Sequence, residues 1–210
     1  MVFKIGEGEN RFYIIIAIII ILVVIATVIL STNSLNKAYI EDFALGDSWF
    51  EDIDERKEKS QLFGLENWAS FTYKNNNYSY PAYVTVTSIK LLFTMNEDDL
   101  LKKTEETIKK ASDKGIVVDI NTKISGEREI YNGHKSRYVI YNGSDTSKEP
   151  SETIKIIGET WNCGNSGTSI ISIGFAQISD NSSNSSKINN TYWEKIIGLQ
   201  EGLIYNIKCH

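Results

Sequence analysis

The sulfur and imidazole side chains able to ligate a soft metal or form a covalent bridge are few: the 210 residues hold two cysteines, Cys163 and Cys209, and two histidines, His134 and His210. A disulfide between Cys163 and Cys209 is the expected use of the thiols, because both fall in the region read below as lying outside the cell, where such bonds persist. Closing a loop of about 47 residues is worth roughly 4 kcal/mol on the chain-entropy argument. It would pin the last helix and the tail to the strand that ends near Trp161. The alternative is metal binding by Cys163, Cys209 and His210, a set one ligand short of the four that a structural zinc site uses.

His134 follows Asn132-Gly133 and is expected to make a surface polar contact at the start of a strand. A catalytic histidine pair would have to enlist His210, and the end of a chain is a poor platform for fixed geometry. No G-x-S-x-G pattern accompanies either histidine. Carboxylates cluster at Asp52, Asp54 and Glu55 and again at Glu97, Asp98 and Asp99. Helix capping accounts for the second cluster, and the first lacks the glycine and spacing of an EF-hand. Gly164 and Gly167 are not followed by the lysine and helix of a phosphate-cradling loop. No catalytic, cofactor-binding or metal residue is therefore assigned. Five N-x-[ST] patterns, at Asn77, Asn142, Asn181, Asn184 and Asn189, are acceptors for N-linked glycans where a host glycosylates.

Lys and Arg number 22 against 27 Asp and Glu, a net charge of -5. That balance argues against a nucleic-acid partner, which asks for a basic stripe. With 41% hydrophobic residues and only two prolines, the chain is neither disordered nor collagenous. Phe12 to Leu30 runs without a charge and would extend roughly 28 Å as a helix, the thickness of a bilayer core. Lys4 and Arg11 precede it and the acidic Glu41 and Asp42 follow, so the positive-inside rule puts residue 1 in the cytoplasm. No A-x-A-like site follows Leu30, which favours an uncleaved anchor over a signal peptide. The expected organisation is a cytoplasmic tail (1–11), a transmembrane helix (12–30), a polar linker or stalk (31–60) and one extracytoplasmic domain (61–210).

Within that domain, Trp68 to Tyr73 and Ala82 to Phe93 read as strands, rich in Tyr, Val, Thr and Ile. Asn96 caps an amphipathic helix whose stripe is Leu100, Leu101, Thr104, Ile108 and Ala111, ending at Lys114-Gly115. Ile116, Val118, Ile120 and Ile124 suggest a strand with one buried face, and Ser125-Gly126 a turn. Asn132-Gly133 is a hairpin signal ahead of a strand over Ser136 to Asn142. Thr153 to Trp161 and Ser169 to Gln177 are further strands, Ser179 to Ser186 a polar loop, and Tyr192 to about Tyr205 a closing helix. Strands joined by tight turns imply an antiparallel sheet with helices against it, an α+β class.

The order of elements, with Asn132-Gly133-His134-Lys135, Trp161-Asn162-Cys163 and Lys208-Cys209-His210, resembles the PsbP-like superfamily, and in particular the membrane-anchored PsbP-like proteins of archaea. The resemblance spans about residues 61–210. It implies a central antiparallel sheet flanked by helices and a non-enzymatic accessory role. The expected function is a membrane-anchored extracytoplasmic binding domain, tethered through residues 12–30, with a membrane or cell-surface protein or a small ligand as its partner. The alternatives are a hydrolase or metal-dependent enzyme using His134, and a structural envelope protein.

Overall fold

The computed structural model describes residues 35–61, 66–76, 80–91, 93–131, 133–147, 149–164, 166–178 and 184–210. In chain order they form β1 (Tyr39–Ile40), α1 (Asp42–Leu45), a 3-10 turn, β2 (Trp49–Gln61), β3 (Glu66–Asn75), β4 (Ala82–Leu91) and α2 (Glu97–Lys109) with a 3-10 extension. There follow β5 (Ile116–Glu129), β6 (Lys135–Asp145), β7 (Glu152–Cys163), β8 (Thr168–Gln177), α3 (Asn184–Ile197) and β9 (Ile207–Lys208). Seven strands build one sheet in the order β2-β3-β4-β8-β7-β6-β5, and β1 pairs with β9 in a separate ribbon. Every recorded pairing is antiparallel.

Two meanders, β2 to β4 and β5 to β8, meet where β4 pairs with β8. The chain must cross from β4 to the far edge at β5, a distance of about 19 Å at roughly 4.8 Å per strand. α2 supplies it, because 13 residues at about 1.5 Å each rise roughly 20 Å. Its start is set chemically: Asn96 Oδ1 accepts the Asp99 N–H at 2.8 Å, and Glu97, Asp98 and Asp99 place charge at the positive end of the dipole. Leu100, Thr104 and Ile108 are its buried stripe. Gly158 of β7 lets this stripe approach, since a Cβ there would come within 2.5 Å of Thr104 Cγ2.

Strand alternation sorts the sheet into two faces. On one, Phe71, Tyr73, Val84, Val86, Ile157, Trp161 and Ile170 are buried with Ala38, Ile40 and Ala44 of the first described segment, Trp193 and Ile196 of α3, and Leu203, Ile204 and Ile207. On the other, Val139, Tyr141, Ile154 and Ile156 are buried with Ile108 of α2.

Several expectations need correction. The α+β class with a transmembrane helix gives way to a mainly β chain, in which strand residues far outnumber helical ones. Among the described residues no helix is long and apolar enough to cross a membrane. α2 carries Lys102, Lys103 and Glu105, and α3 carries Glu194 and Lys195. Phe12 to Leu30 lies outside the described residues, so the anchor, the single-pass topology and the cell-membrane localisation are not carried forward. Residues 31–60, read as a polar linker, hold β1, α1 and nearly all of β2 from residue 35 onward. The charges of Glu51 to Lys59 mask this strand because it is an edge. There Lys74 of β3 bridges Asp52 at 2.6 Å and Glu55 at 2.9 Å, and Arg56 lies 5.0 Å over the Phe71 ring.

β5 also departs from its expected form. It runs unbroken through Ser125-Gly126, and a bulge between Asp119 and Ile124 switches the face its side chains present. Ile116 and Val118 pack beside the α2 cluster, whereas Ile120 and Ile124 are each 60% exposed. The closing helix begins earlier than expected and stops at Ile197. Gly198 and Gly202 end it by close contact: a Cβ on Gly202 would lie 1.8 Å from the Gly198 carbonyl oxygen.

Candidate functional site

The register that pairs Arg137 with Thr160 continues to bring residue 134 level with residue 163, at the end of β7. The Ile130 N–H donates to the His134 carbonyl at 3.0 Å, and Gly133, at a φ of 73°, lets the hairpin close. From the other side, β9 pairs Ile207 with Ile40, and the Tyr131 N–H donates to the Tyr205 carbonyl at 3.1 Å. Lys208 Nζ meets Glu41 at 3.0 Å. These contacts deliver Cys209 and His210 to the same spot as His134 and Cys163.

A disulfide joins Cys163 to Cys209, with Cα atoms 6.4 Å apart. His134 Nε2 faces both sulfurs, 3.9 Å from Cys163 Sγ and 3.5 Å from Cys209 Sγ. His210 Nδ1 faces them from its own side, at 3.1 and 3.6 Å. The imidazole rings meet edge to face with centroids 5.2 Å apart. All four ligand atoms lie within 4.8 Å of one another. Both cysteines are buried, His134 is half-buried and His210 is exposed. Burial first, and the neighbouring His210 second, hold His134 below the ordinary imidazole pKa. Thr168 is the cross-strand partner of Cys163, so its side chain shares that face; it is fully buried, and its hydroxyl makes no hydrogen bond among the described residues.

The same face carries a buried ion pair. Glu159 of β7 accepts from Arg128 Nε at 2.8 Å, from Arg128 Nη2 at 2.6 Å and from Ser136 Oγ at 2.5 Å. Arg128 also donates to the Ile197 carbonyl, tying β5 to the end of α3. With the carboxylate engaged on both oxygens, this network is a structural clamp.

On the opposite face, α2 covers β7 and its neighbours but leaves the β2 to β4 side open. The uncovered strands present hydroxyls there: Ser70 pairs with Thr87 at 3.1 Å and Thr72 with Thr85 at 3.4 Å. Between this hydroxyl floor and α2 lies a groove of about 480 Å³. Tyr83 and Phe175 stack at 4.8 Å along it, Ile173 and Ile156 line it, and Glu55 and Lys110 stand among its polar residues.

The other residues singled out in the sequence are scattered. Asp52 and Glu55 pair with Lys74. Asp54 N–H donates to Asp52, and Asp98 pairs with Arg137. Gly167 N–H caps the Cys163 carbonyl at 2.9 Å in the β7 to β8 turn. Asn142 is exposed in the middle of β6, and Asn184 and Asn189 fall in α3. Asn77 and Asn181 lie outside the described residues. Sequence reasoning missed His134 as a neighbour of the sulfurs, and it missed the groove. The available signals were the turn that precedes His134 and the alternation Val84-Thr85-Val86-Thr87, which sets an apolar face against a hydroxyl face. Compared with family models, curated proteins and solved structures, the chain finds no match.

Proposed function

We propose that this is a non-enzymatic binding domain whose ligand is a small neutral amphiphile, an aryl or acyl body bearing hydroxyl-bonding groups, seated in the groove beside α2. The observation that supports this reading is the Tyr83 and Phe175 stack set between the Ile173 wall and the threonine floor, in a volume of about 480 Å³. Small-molecule sites combine an apolar body with a few placed polar groups at volumes of roughly 300 to 1,000 Å³. Thr85 and Thr87 can both donate and accept, which suits an alcohol or amide. One acid, Glu55, and one base, Lys110, leave the lining without a net charge, which favours a neutral ligand over an ion.

The test is a methyl-resolved NMR titration of the full chain with 2-naphthol. Saturable shifts at Thr85, Thr87 and Ile173 are expected, and Thr85→Trp should abolish them while leaving the Val139 and Ile154 methyl signals in place. Shifts spread over the whole surface, or shifts that persist in Thr85→Trp, would overturn the reading.

A further inference from the structure

The tetrad on the closed face carries a second inference, independent of the groove. We propose that His134, Cys163, Cys209 and His210 form a redox-gated tetrahedral site for a single Zn(II)-class cation, closed to metal while the disulfide stands and opened by a dithiol reductant.

Geometry carries most of the argument. With Zn–S near 2.3 Å and Zn–N near 2.05 Å, a tetrahedral S2N2 set has S to N edges of about 3.6 Å. The four observed sulfur to nitrogen distances are 3.1, 3.5, 3.6 and 3.9 Å, so both imidazoles already stand at ligand range from both sulfurs. Each ring turns a single nitrogen toward the pair, Nε2 from His134 and Nδ1 from His210. On reduction the sulfurs have to part to about 3.8 Å, the S to S edge of the same polyhedron, and the two ring nitrogens, within 4.8 Å of each other, to close to about 3.3 Å.

The convergence does not depend on the sulfur bond. His134 is held by its hairpin, Cys163 by the β7 ladder, and the tail by the β1 to β9 pairing and the buried Leu203, Ile204 and Ile207. Reduction therefore leaves His134, Cys163 and Cys209 in place instead of releasing a loose tail, with His210 carried next to Cys209 in the chain. Charge is consistent as well: a divalent cation with two thiolates and two neutral imidazoles is a net neutral centre, the form that tolerates cysteines 0% and 1% exposed. The buried, unpaired hydroxyl of Thr168 sits across from Cys163, where a metal-bound thiolate would give it an acceptor.

The chemistry balances in two steps. A dithiol passes two electrons and two protons to the Cys163–Cys209 disulfide, becoming a cyclic disulfide and leaving two protein thiols. The cation then binds both sulfurs and both imidazole nitrogens and displaces two protons to solvent. A chain with no other cysteine or histidine makes the stoichiometry unambiguous.

Co(II) is the probe, because its tetrahedral ligand field and its thiolate charge-transfer bands are both visible in absorption. The full chain is treated with dithiothreitol, desalted without oxygen and titrated with Co(II), beside an untreated sample. One equivalent should bind the reduced protein with tetrahedral, thiolate-ligated bands, Zn(II) should bleach them, and the oxidised protein should show none. His134→Ala and His210→Ala should each weaken binding by about 100-fold or more, with thermal unfolding of the oxidised variants confirming that they fold. Trp161, two residues from Cys163 on the same face, reports the site by fluorescence as a second readout. The proposal fails if reduced protein binds no stoichiometric Co(II), if oxidised protein binds it equally, or if both histidine variants bind with unchanged affinity and spectrum.

Discussion

The two faces of the sheet are covered by unequal amounts of chain. Among the described residues, one meets the first described segment, α3 and the last residues together, while the other meets α2 alone. The side chains follow that inequality. Under the threefold cover they are mostly aromatic and aliphatic, with Trp161, Tyr73 and Ile157 all under 3% exposed and the Arg128–Glu159 pair the buried charges. Beyond the edge of α2 the same strands turn to Thr72, Thr85 and Thr87, which tolerate water and leave a groove. A helix about 10 Å wide spans roughly two strands of a sheet, so one helix cannot close seven. Coverage thus decides where a rigid centre is built and where a ligand can enter.

Deleting the largest side chain of the closed face should produce the largest effect. Trp161→Ala should cost about 4 kcal/mol, read as a shift in the urea midpoint, because it opens a cavity that three packed segments cannot collapse into. A cost below about 1.5 kcal/mol would mean that this face is less closed than its burial suggests. Next in size is Glu159→Gln, expected to destabilise by about 3 kcal/mol, since Arg128 would keep its charge and lose its bidentate acceptor. Truncating both partners, Arg128→Met with Glu159→Leu, should recover most of that loss.

An alkaline titration probes the buried tyrosines of both faces, since burial beside α2 raises Tyr141 to about 12 as well. Burial raises Tyr73 from 10.0 to about 12 on the closed face. The folded value lies above the unfolded one, so stability is intact below pH 10 and falls as pH rises between 10 and about 12, where only the unfolded state ionises. Absorbance of tyrosinate should show a cooperative step as unfolding releases Tyr73. The smallest effect is expected in the groove: Thr85→Ala should change stability by no more than about 0.5 kcal/mol while weakening naphthol binding. If Thr85→Ala costs as much as Glu159→Gln, the open face is a structural core and the distinction between the faces collapses.

Legibility in the sequence followed locality. α2 could be read because its cap, its first-turn acids and its stripe all sit within a few turns, and the hairpin because Asn132-Gly133 is a two-residue signal. β4, β7 and β8 could be read from their apolar and β-branched runs. β2 could not, since an edge strand is solvated on both faces and its ion pairs with Lys74 look like those of a charged stalk. The β5 bulge was hidden for a related reason: one inserted shift reverses which residues face inward, and only the pairing with β6 reveals it.

By itself, then, the sequence determined the helix over Glu97–Lys109, the turn at Gly133 and most of the central strands, because propensity, capping and period are properties of neighbouring residues. Only the tertiary structure decided that His134 stands with Cys163, Cys209 and His210, which lie 29, 75 and more residues away along the chain. The same holds for the groove, whose walls come from α2 and from strands of both meanders. The reason is that strand order and register are long-range choices, settled by which faces bury the most apolar surface, and no local pattern records that competition.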